Sequence, residues 1–390
     1  MKQYDAIVVG TGFAGAIIAR RIAEELDKKV LVIEKRNHIG GNMYDYTDDY
    51  GIRIQKYGPH TFHTNNELVY KYLTNYCLFD EYLLKCEAIV KGTSTPTPFN
   101  FKTIDQIYTK EEAIALKEKL IIRYGSSQAT VLELLNCEDK DIKGYAEYLF
   151  ENDYSLYTAK QWGKKPTEID SSILKRVPIL FSYRDTYFND VYQGIPQGGF
   201  TGIFEKMLAH QNINVELSTD VLDNIIVDEH KKSLIYKDVH IPVIYTGALD
   251  ELFNYRYGKL PYRSLEFELE YLPVSSFQNV AIVAYPADKD ITRITEYTKL
   301  PYQNIENKTV IAKEYSMQYD KEADKGNEPY YPILTYESMK QYNKYLELAE
   351  QYSNLILCGR LADFKYYNMD QVIERTLNVF DQKVIPLIKQ

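Results

Sequence analysis

The sequence predicts an α/β protein in which a discontinuous Rossmann-like domain is interrupted by a mainly helical insertion and by an antiparallel-sheet domain. Three observations carry this expectation. Residues 5–41 read as a strand, a glycine-rich turn, a helix and a second strand. The stretch from Thr103 to Tyr157 holds charged runs such as residues 110–119 and few strand formers, a helical texture. Residues 213–320 alternate short apolar segments with turns, which suggests an antiparallel sheet. The chain then returns at Asn354–Cys358 to a buried apolar strand, followed by Gly359 and a final helix from Met369.

Each part of the N-terminal unit has a physical reason. The apolar strand Ala6–Val9 runs into Gly10, Thr11, Gly12, Phe13, Ala14 and Gly15. Gly10 permits the tight turn, Gly12 lets the backbone approach a pyrophosphate, and Gly15 lets the helix pack against the sheet. The helix opening near Phe13 offers free N–H groups and the positive end of its dipole to that pyrophosphate. The second strand ends at Glu34, 24 residues after Gly10, where a carboxylate accepts from both ribose hydroxyls and repels a 2′-phosphate. The unit predicts a dinucleotide site. Lys35 and Arg36 open a basic loop through Gly40, Gly41 and Asn42 that is unusual for NAD. It resembles the loop that wraps FAD in flavoproteins of the glutathione-reductase and amine-oxidase type.

Further along, residues 52–57 alternate as a strand and lead into the loop carrying His60 and His63. An HxxH pair without a third ligand motif predicts no metal. A short helix is expected over 66–76, strand-like segments up to Phe101, and an extended passage over 176–189. A helix over 201–210 has Thr201 as its expected N-cap.

The 390-residue length predicts two or three domains. A net charge of −9 argues against a general nucleic-acid or anionic-membrane surface, so phosphate binding must be local. Cys77, Cys86, Cys137 and Cys358 show no paired spacing and read as reduced thiols. No run of 18 apolar residues occurs, and the chain enters a strand at once, which predicts a cytoplasmic protein without a signal peptide. Tyrosine is abundant, 37 residues against one tryptophan; most should be half-buried packing residues, and a few should grip phosphate or stack on a base.

Ten segments add a family resemblance: EKRNHIGGN (34–42), KYGPHTFHT (56–64), YTAKQWG (157–163), ILKRVPI (173–179), YFNDVYQGIPQGGF (187–200), YTGALD (245–250), ITRITE (291–296), KEYS (313–316), EPYYP (328–332) and GRLADFKYYNMDQ (359–371). In this order, through nearly the whole chain, they resemble the bacterial UDP-galactopyranose mutases, flavoenzymes that interconvert pyranose and furanose forms of a nucleotide sugar. The resemblance implies FAD, active in the reduced form, whose N5 attacks the anomeric carbon while the nucleotide diphosphate leaves and returns. It implies a homodimer and a three-part layout. Residues 1–78, 195–228 and 330–390 would form the FAD-binding domain, residues 102–172 the helical domain, and residues 79–101, 173–194 and 229–329 the antiparallel domain.

The resemblance also implies roles, residue by residue. Arg176 and Arg293 match two arginines that clamp the substrate diphosphate, a duty suited to an always-charged fork. Together with His60, which matches a histidine near flavin and sugar, they form the expected catalytic set. Tyr187, Tyr331 and Tyr366 match tyrosines that reach the diphosphate. Tyr157 matches the ring that stacks on uracil, and Trp162 belongs to a lid near the nucleotide; Thr158 and Phe188 complete the expected substrate-binding set. Arg360 matches a flavin-contacting arginine whose charge stabilises the anionic reduced cofactor. The expected cofactor set is then Gly10, Gly12, Phe13, Ala14, Gly15, Glu34, Lys35, Arg36, Gly41, Asn42, His60, Arg360 and Met369.

Three positions depart from the family pattern. Leu180 replaces a usual second arginine, Leu84 an asparagine that often lines the nucleotide site, and Asn368 a common aspartate. They leave the reaction type intact and keep the substrate open among UDP-galactopyranose, dTDP-fucopyranose and UDP-N-acetylgalactosamine. The rival of another class is an FAD-dependent oxidoreductase of the amine-oxidase type. It would need an apolar tunnel and would have no use for paired arginines and tyrosines.

Overall fold

The computed structural model describes residues 4–125, 127–163 and 177–389. Ala6–Val9 and Val30–Ile33 form the expected parallel pair, with Ile7 opposite Leu31. The Phe13–Glu25 helix between them buries Ile17, Ile18 and Ile22 against the sheet. That sheet has five parallel strands in the order Ile213–Glu216, Val30–Ile33, Ala6–Val9, Val243–Tyr245 and Leu355–Leu357. The chain winds outward from Ala6–Val9 to one side and then to the other. This places a topological switch point at the carboxyl ends of Ala6–Val9 and Val243–Tyr245, where open α/β sheets bind ligands.

The reading of residues 213–320 as one antiparallel sheet needs correction. Ile213–Glu216 and Val243–Tyr245 join the parallel sheet instead, and Val243–Tyr245 lies inside the 229–329 segment assigned to the antiparallel domain. A short apolar run carries no signal of direction; what decides is the strand each run meets, Ile213–Glu216 pairing with Val30–Ile33 and Val243–Tyr245 with Ala6–Val9.

The helical layer runs through Phe101–Ile107, Lys110–Tyr124, Val131–Leu135 and Lys140–Leu149 to Ser155–Trp162. Capping boxes at Thr109 with Glu112 and at Thr130 with Glu133 start two of these helices. Their buried faces, including Leu116, Leu120, Leu134 and Tyr145, enclose a core with Phe99 and Phe181.

The third layer is a seven-stranded sheet in the order Tyr331–Pro332, Tyr262–Leu272, Thr309–Gln318, Ile291–Glu296, Ile282–Ala284, Cys86–Val90 and Thr93–Thr97. Its pairs are antiparallel except Ile282–Ala284 with Cys86–Val90. Leu84 packs in the core beneath it with Ile195, Tyr187 and Phe188. Leu180 is buried in the short strand Ile179–Leu180, and its N–H donates to Phe99 O at 2.8 Å.

The Thr201–Leu208 helix forms, but Thr201 does not cap it. The Thr201 hydroxyl is drawn to the Asp45 backbone, donating to its carbonyl at 2.8 Å. The Asp45 carboxylate does the capping, accepting from Phe200 N at 2.7 Å and Thr201 N at 3.0 Å. All four cysteines are free and buried. Among the described residues no helix is long and apolar enough to cross a membrane.

Candidate active site

A cavity opens at the switch point, lined by Gly10–Gly15, Glu34–Arg36, Gly40–Met43, Thr219–Leu222, Tyr245–Ala248, Glu328, Gly359–Leu361 and Met369. Every residue of the expected cofactor set except His60 lines it. The three glycines differ in what they permit. A Cβ on Gly10, whose φ is 93°, would meet Thr246 Oγ1 at 2.3 Å, and one on Gly15 would meet Gly10 O at 1.9 Å. A Cβ on Gly12 meets nothing within 4 Å. Gly12 is also the N-cap of the Phe13–Glu25 helix and supplies no side-chain cap. The first N–H groups of that helix therefore face open space, which is what a pyrophosphate requires.

Glu34 is buried and held in place. Its Oε2 accepts from Thr11 N at 3.0 Å and Thr11 Oγ1 at 2.7 Å, and its Oε1 accepts from Arg36 N at 3.0 Å. Arg36 pairs with Glu328 at 2.6 Å, donates to Asn42 Oδ1 at 2.9 Å, and stacks over the Tyr57 ring at 4.3 Å. Burial would raise the Glu328 carboxyl, but the Arg36 hydrogen bond and charge outweigh it and hold the carboxyl below its ordinary value. Lys35 also approaches Glu328, at 3.8 Å. At the other end, Arg360 donates to Tyr330 O at 3.3 Å and Tyr367 O at 3.1 Å, and its guanidinium lies over the Tyr331 and Tyr366 rings at 5.6 Å and 5.9 Å. The Met369–Val379 helix points its N-terminus here, with Asn368 as its N-cap.

His60 connects this cavity to a second cluster. Its N–H donates to Gln55 Oε1, and its carbonyl accepts from Gln55 Nε2 at 3.0 Å, so one side chain brackets the peptide from both sides. Burial lowers the imidazole pKa to about 3, with the charges of Arg360 and Arg293 pushing the same way. The ring is therefore neutral near neutral pH. His63 does different work: Nδ1 lies 2.9 Å from Asp190 Oδ2, and the ring stacks on Phe188 at 3.5 Å. Phe188 in turn contacts the Tyr187 ring at 4.8 Å.

In the second cluster, Arg293 Nε donates to Glu314 Oε2 at 2.6 Å. Burial pushes the Glu314 carboxyl up against the pull of the guanidinium, and its Oε1 has no partner among the described residues. The Tyr157 phenol is raised by burial within the fields of Arg293, Glu314, Tyr187 and Tyr331. Trp162 is buried, with its ring centroid 6.0 Å from Tyr331 and 5.7 Å from Tyr366, and Tyr331 lies 5.0 Å from Tyr366. Thr158 is buried one residue after Tyr157. The structure thus gathers Tyr157, Tyr187, Arg293, Tyr331, Trp162 and Tyr366, and turns Phe188 toward His63. Arg176 lies outside the described residues.

Sequence reasoning assigned no role to Gln55, Glu314, Glu328, Thr11 or Thr246. Glu314, Glu328 and Thr246 sit inside quoted family segments, so a signal of position existed. Their partners are set by tertiary pairing.

A family model described as UDP-galactopyranose mutase matches residues 153–366, and one described as an NAD(P)-binding Rossmann-like domain matches residues 8–76. The dTDP-fucopyranose mutase of Escherichia coli is 37% identical over 95% of this chain and 96% of its own length. A probable UDP-galactopyranose mutase of Klebsiella pneumoniae is 35% identical over 98% of this chain and 95% of its own length. A crystal structure of reduced UDP-galactopyranose mutase matches with a TM-score of 0.72 at 16% identity, covering 100% of this chain and 95% of that one, which speaks for the fold. With a family match over more than half its length and full-length relatives above 30% identity, the chain belongs to the UDP-galactopyranose mutase family.

Proposed function

We propose that this mutase interconverts the pyranose and furanose forms of a nucleotide-diphosphate sugar of the galactose type, UDP-galactopyranose first. FAD would lie in the Gly10–Glu34 cavity. The residues fit it: Gly12 leaves room for a pyrophosphate at a free helix start, Glu34 lines the cavity where it would meet a ribose, and the cavity runs on to Arg360 and Met369. Reduced FAD, when bound, supplies N5 as the nucleophile for the anomeric carbon.

The chain's own residues would do the rest. Arg293, with Arg176 as its family-matched companion, holds the departing diphosphate as a fixed ion so that it can return. Glu314 occupies Nε and sets which edge of the Arg293 fork faces the site. Tyr187, Tyr331 and Tyr366 add neutral donors to the diphosphate, and Tyr157 stacks on the base. Trp162 and the tyrosines around it exclude water from the sugar. His60, kept neutral, adds no charge between the arginines, while Arg360 presents one to the reduced cofactor. Its product would be a furanose donor for cell-surface polysaccharide, made by a cytoplasmic homodimer.

One observation carries the proposal: Arg360, which lines the dinucleotide cavity, lies over the Tyr331 and Tyr366 rings of the arginine–tyrosine cluster, which supports reading the two as one site. The near-equal identities to the E. coli and K. pneumoniae relatives keep dTDP-fucopyranose as the second reading. The test is a panel of UDP-galactofuranose, dTDP-fucofuranose and UDP-N-acetylgalactosamine incubated with reduced, FAD-loaded protein and resolved by chromatography. Ring interconversion of UDP-galactose is expected. Conversion of dTDP-fucose alone favours the second reading, and conversion of none contradicts both.

A further inference from the structure

The Lys140–Leu149 helix does not stop at Leu149. It passes through one π turn, Phe150–Tyr154, in which Ser155 N–H donates to Phe150 O, and continues as Ser155–Trp162. Such a turn inserts an extra residue and re-aims the side chains around it. Asp153 and Tyr157 then stand four residues apart on one continuous helix, neighbours on the same face. Tyr157 lies among Arg293, Glu314, Tyr187 and Tyr331, while Tyr154 lies within the fields of both Asp153 and Tyr187. The acid therefore stands about one helical turn before the ring proposed to stack on the base.

Asp153 is partly buried, and among the described residues its carboxyl has no hydrogen bond or ion pair. The nearby polar groups are engaged elsewhere. Tyr154 donates to Val177 O at 2.9 Å, Lys160 donates to Tyr285 O at 2.7 Å and Ile291 O at 2.8 Å, and Arg293 is paired with Glu314. Burial pushes the carboxyl up to about 7, so the protonated acid is present at neutral pH. A desolvated polar group without an internal partner is costly to keep.

We propose that Asp153 reads the imide edge of the nucleobase stacked on Tyr157. This rests on the nucleotide-sugar reading above. Uracil and thymine, the bases of UDP and dTDP, both present an N3–H beside a ring carbonyl. A protonated carboxyl matches that edge with two parallel hydrogen bonds: its carbonyl oxygen accepts from N3–H, and its hydroxyl donates to the ring carbonyl. The pair suits both bases equally. Asp153 thus selects the base class and leaves the 5-position to other groups.

The experiment compares binding of UDP, dTDP and N3-methyl-UDP to FAD-loaded wild-type protein, D153N and D153L. Methylation is expected to weaken wild-type binding about tenfold or more. D153N keeps one acceptor and one donor and should retain that penalty, whereas D153L should bind UDP and N3-methyl-UDP alike. If D153L does not fold, D153S takes its place with the same expectation. A penalty that persists unchanged in D153L, or that is absent from wild type, overturns the assignment while leaving the nucleotide-sugar reading standing. Failure of both UDP and dTDP to bind wild type sinks that reading, and the Asp153 assignment with it.

Discussion

Arg293 and Glu314 face each other directly in the antiparallel ladder of Ile291–Glu296 and Thr309–Gln318, and Arg293 Nε reaches Glu314 Oε2 at 2.6 Å. The register of two strands thus fixes an arginine by one edge and leaves the rest of its fork for a ligand. Removing the carboxylate leaves a guanidinium in a desolvated place without its counter-charge. Glu314→Ala is expected to lower unfolding stability by about 3–5 kcal/mol and to reduce kcat/KM for any diphosphate substrate. Glu314→Gln, which keeps an acceptor for Nε, should recover part of both. Denaturant titration and steady-state kinetics on the pair check this; unchanged stability in Glu314→Ala would show that the ion pair is not structural.

The glycines of the turn should separate folding from cofactor binding. Gly15→Ala places a Cβ 1.9 Å from Gly10 O, so thermal stability of the apoprotein should drop sharply. Gly12→Ala meets nothing within 4 Å, so the apoprotein should melt close to wild type, yet it should bind FAD at least tenfold more weakly because the methyl occupies the path of the phosphate. Thermal melts of apoprotein and FAD titration by fluorescence give the two readouts. Tight FAD binding by Gly12→Ala would move the pyrophosphate elsewhere.

Asp153 gives stability an unusual pH dependence. Its carboxyl is raised from 3.8 to about 7 in the folded chain, so between these values the unfolded state loses a proton that the folded state keeps. Stability contributed at this site therefore falls as pH rises through that window, and the full penalty stands above it. D153N removes the charge and should melt higher than wild type above neutral pH, with the difference vanishing near pH 3.8. Melting curves across that range check the sign; a D153N that is less stable at high pH would mean the carboxylate has a partner.

The parts of this site that were legible in the sequence are the local ones. Ala6–Val9, Phe13–Glu25, Val30–Ile33 and Glu34 follow from apolar periodicity, glycine spacing and one acid at a strand end, all within one βαβ unit. What was missed depends on residues far apart in the chain. Thr201 was a good cap by type, but the cap comes from Asp45 on another hairpin. The direction of Val243–Tyr245 depends on which strand it meets. Glu314 gains its meaning only from the register that sets it against Arg293, and Gln55 only from folding back on the His60 peptide.

The most direct test of the account is the redox balance of turnover. FAD-loaded protein would be assayed on UDP-galactofuranose and dTDP-fucofuranose, oxidised and after dithionite reduction, with Arg293→Ala beside it. The expected result is ring interconversion only in the reduced state, many turnovers per flavin without net consumption of reductant, and loss of turnover in Arg293→Ala with FAD still bound. Turnover by the oxidised protein, or one reducing equivalent spent per product, would contradict it.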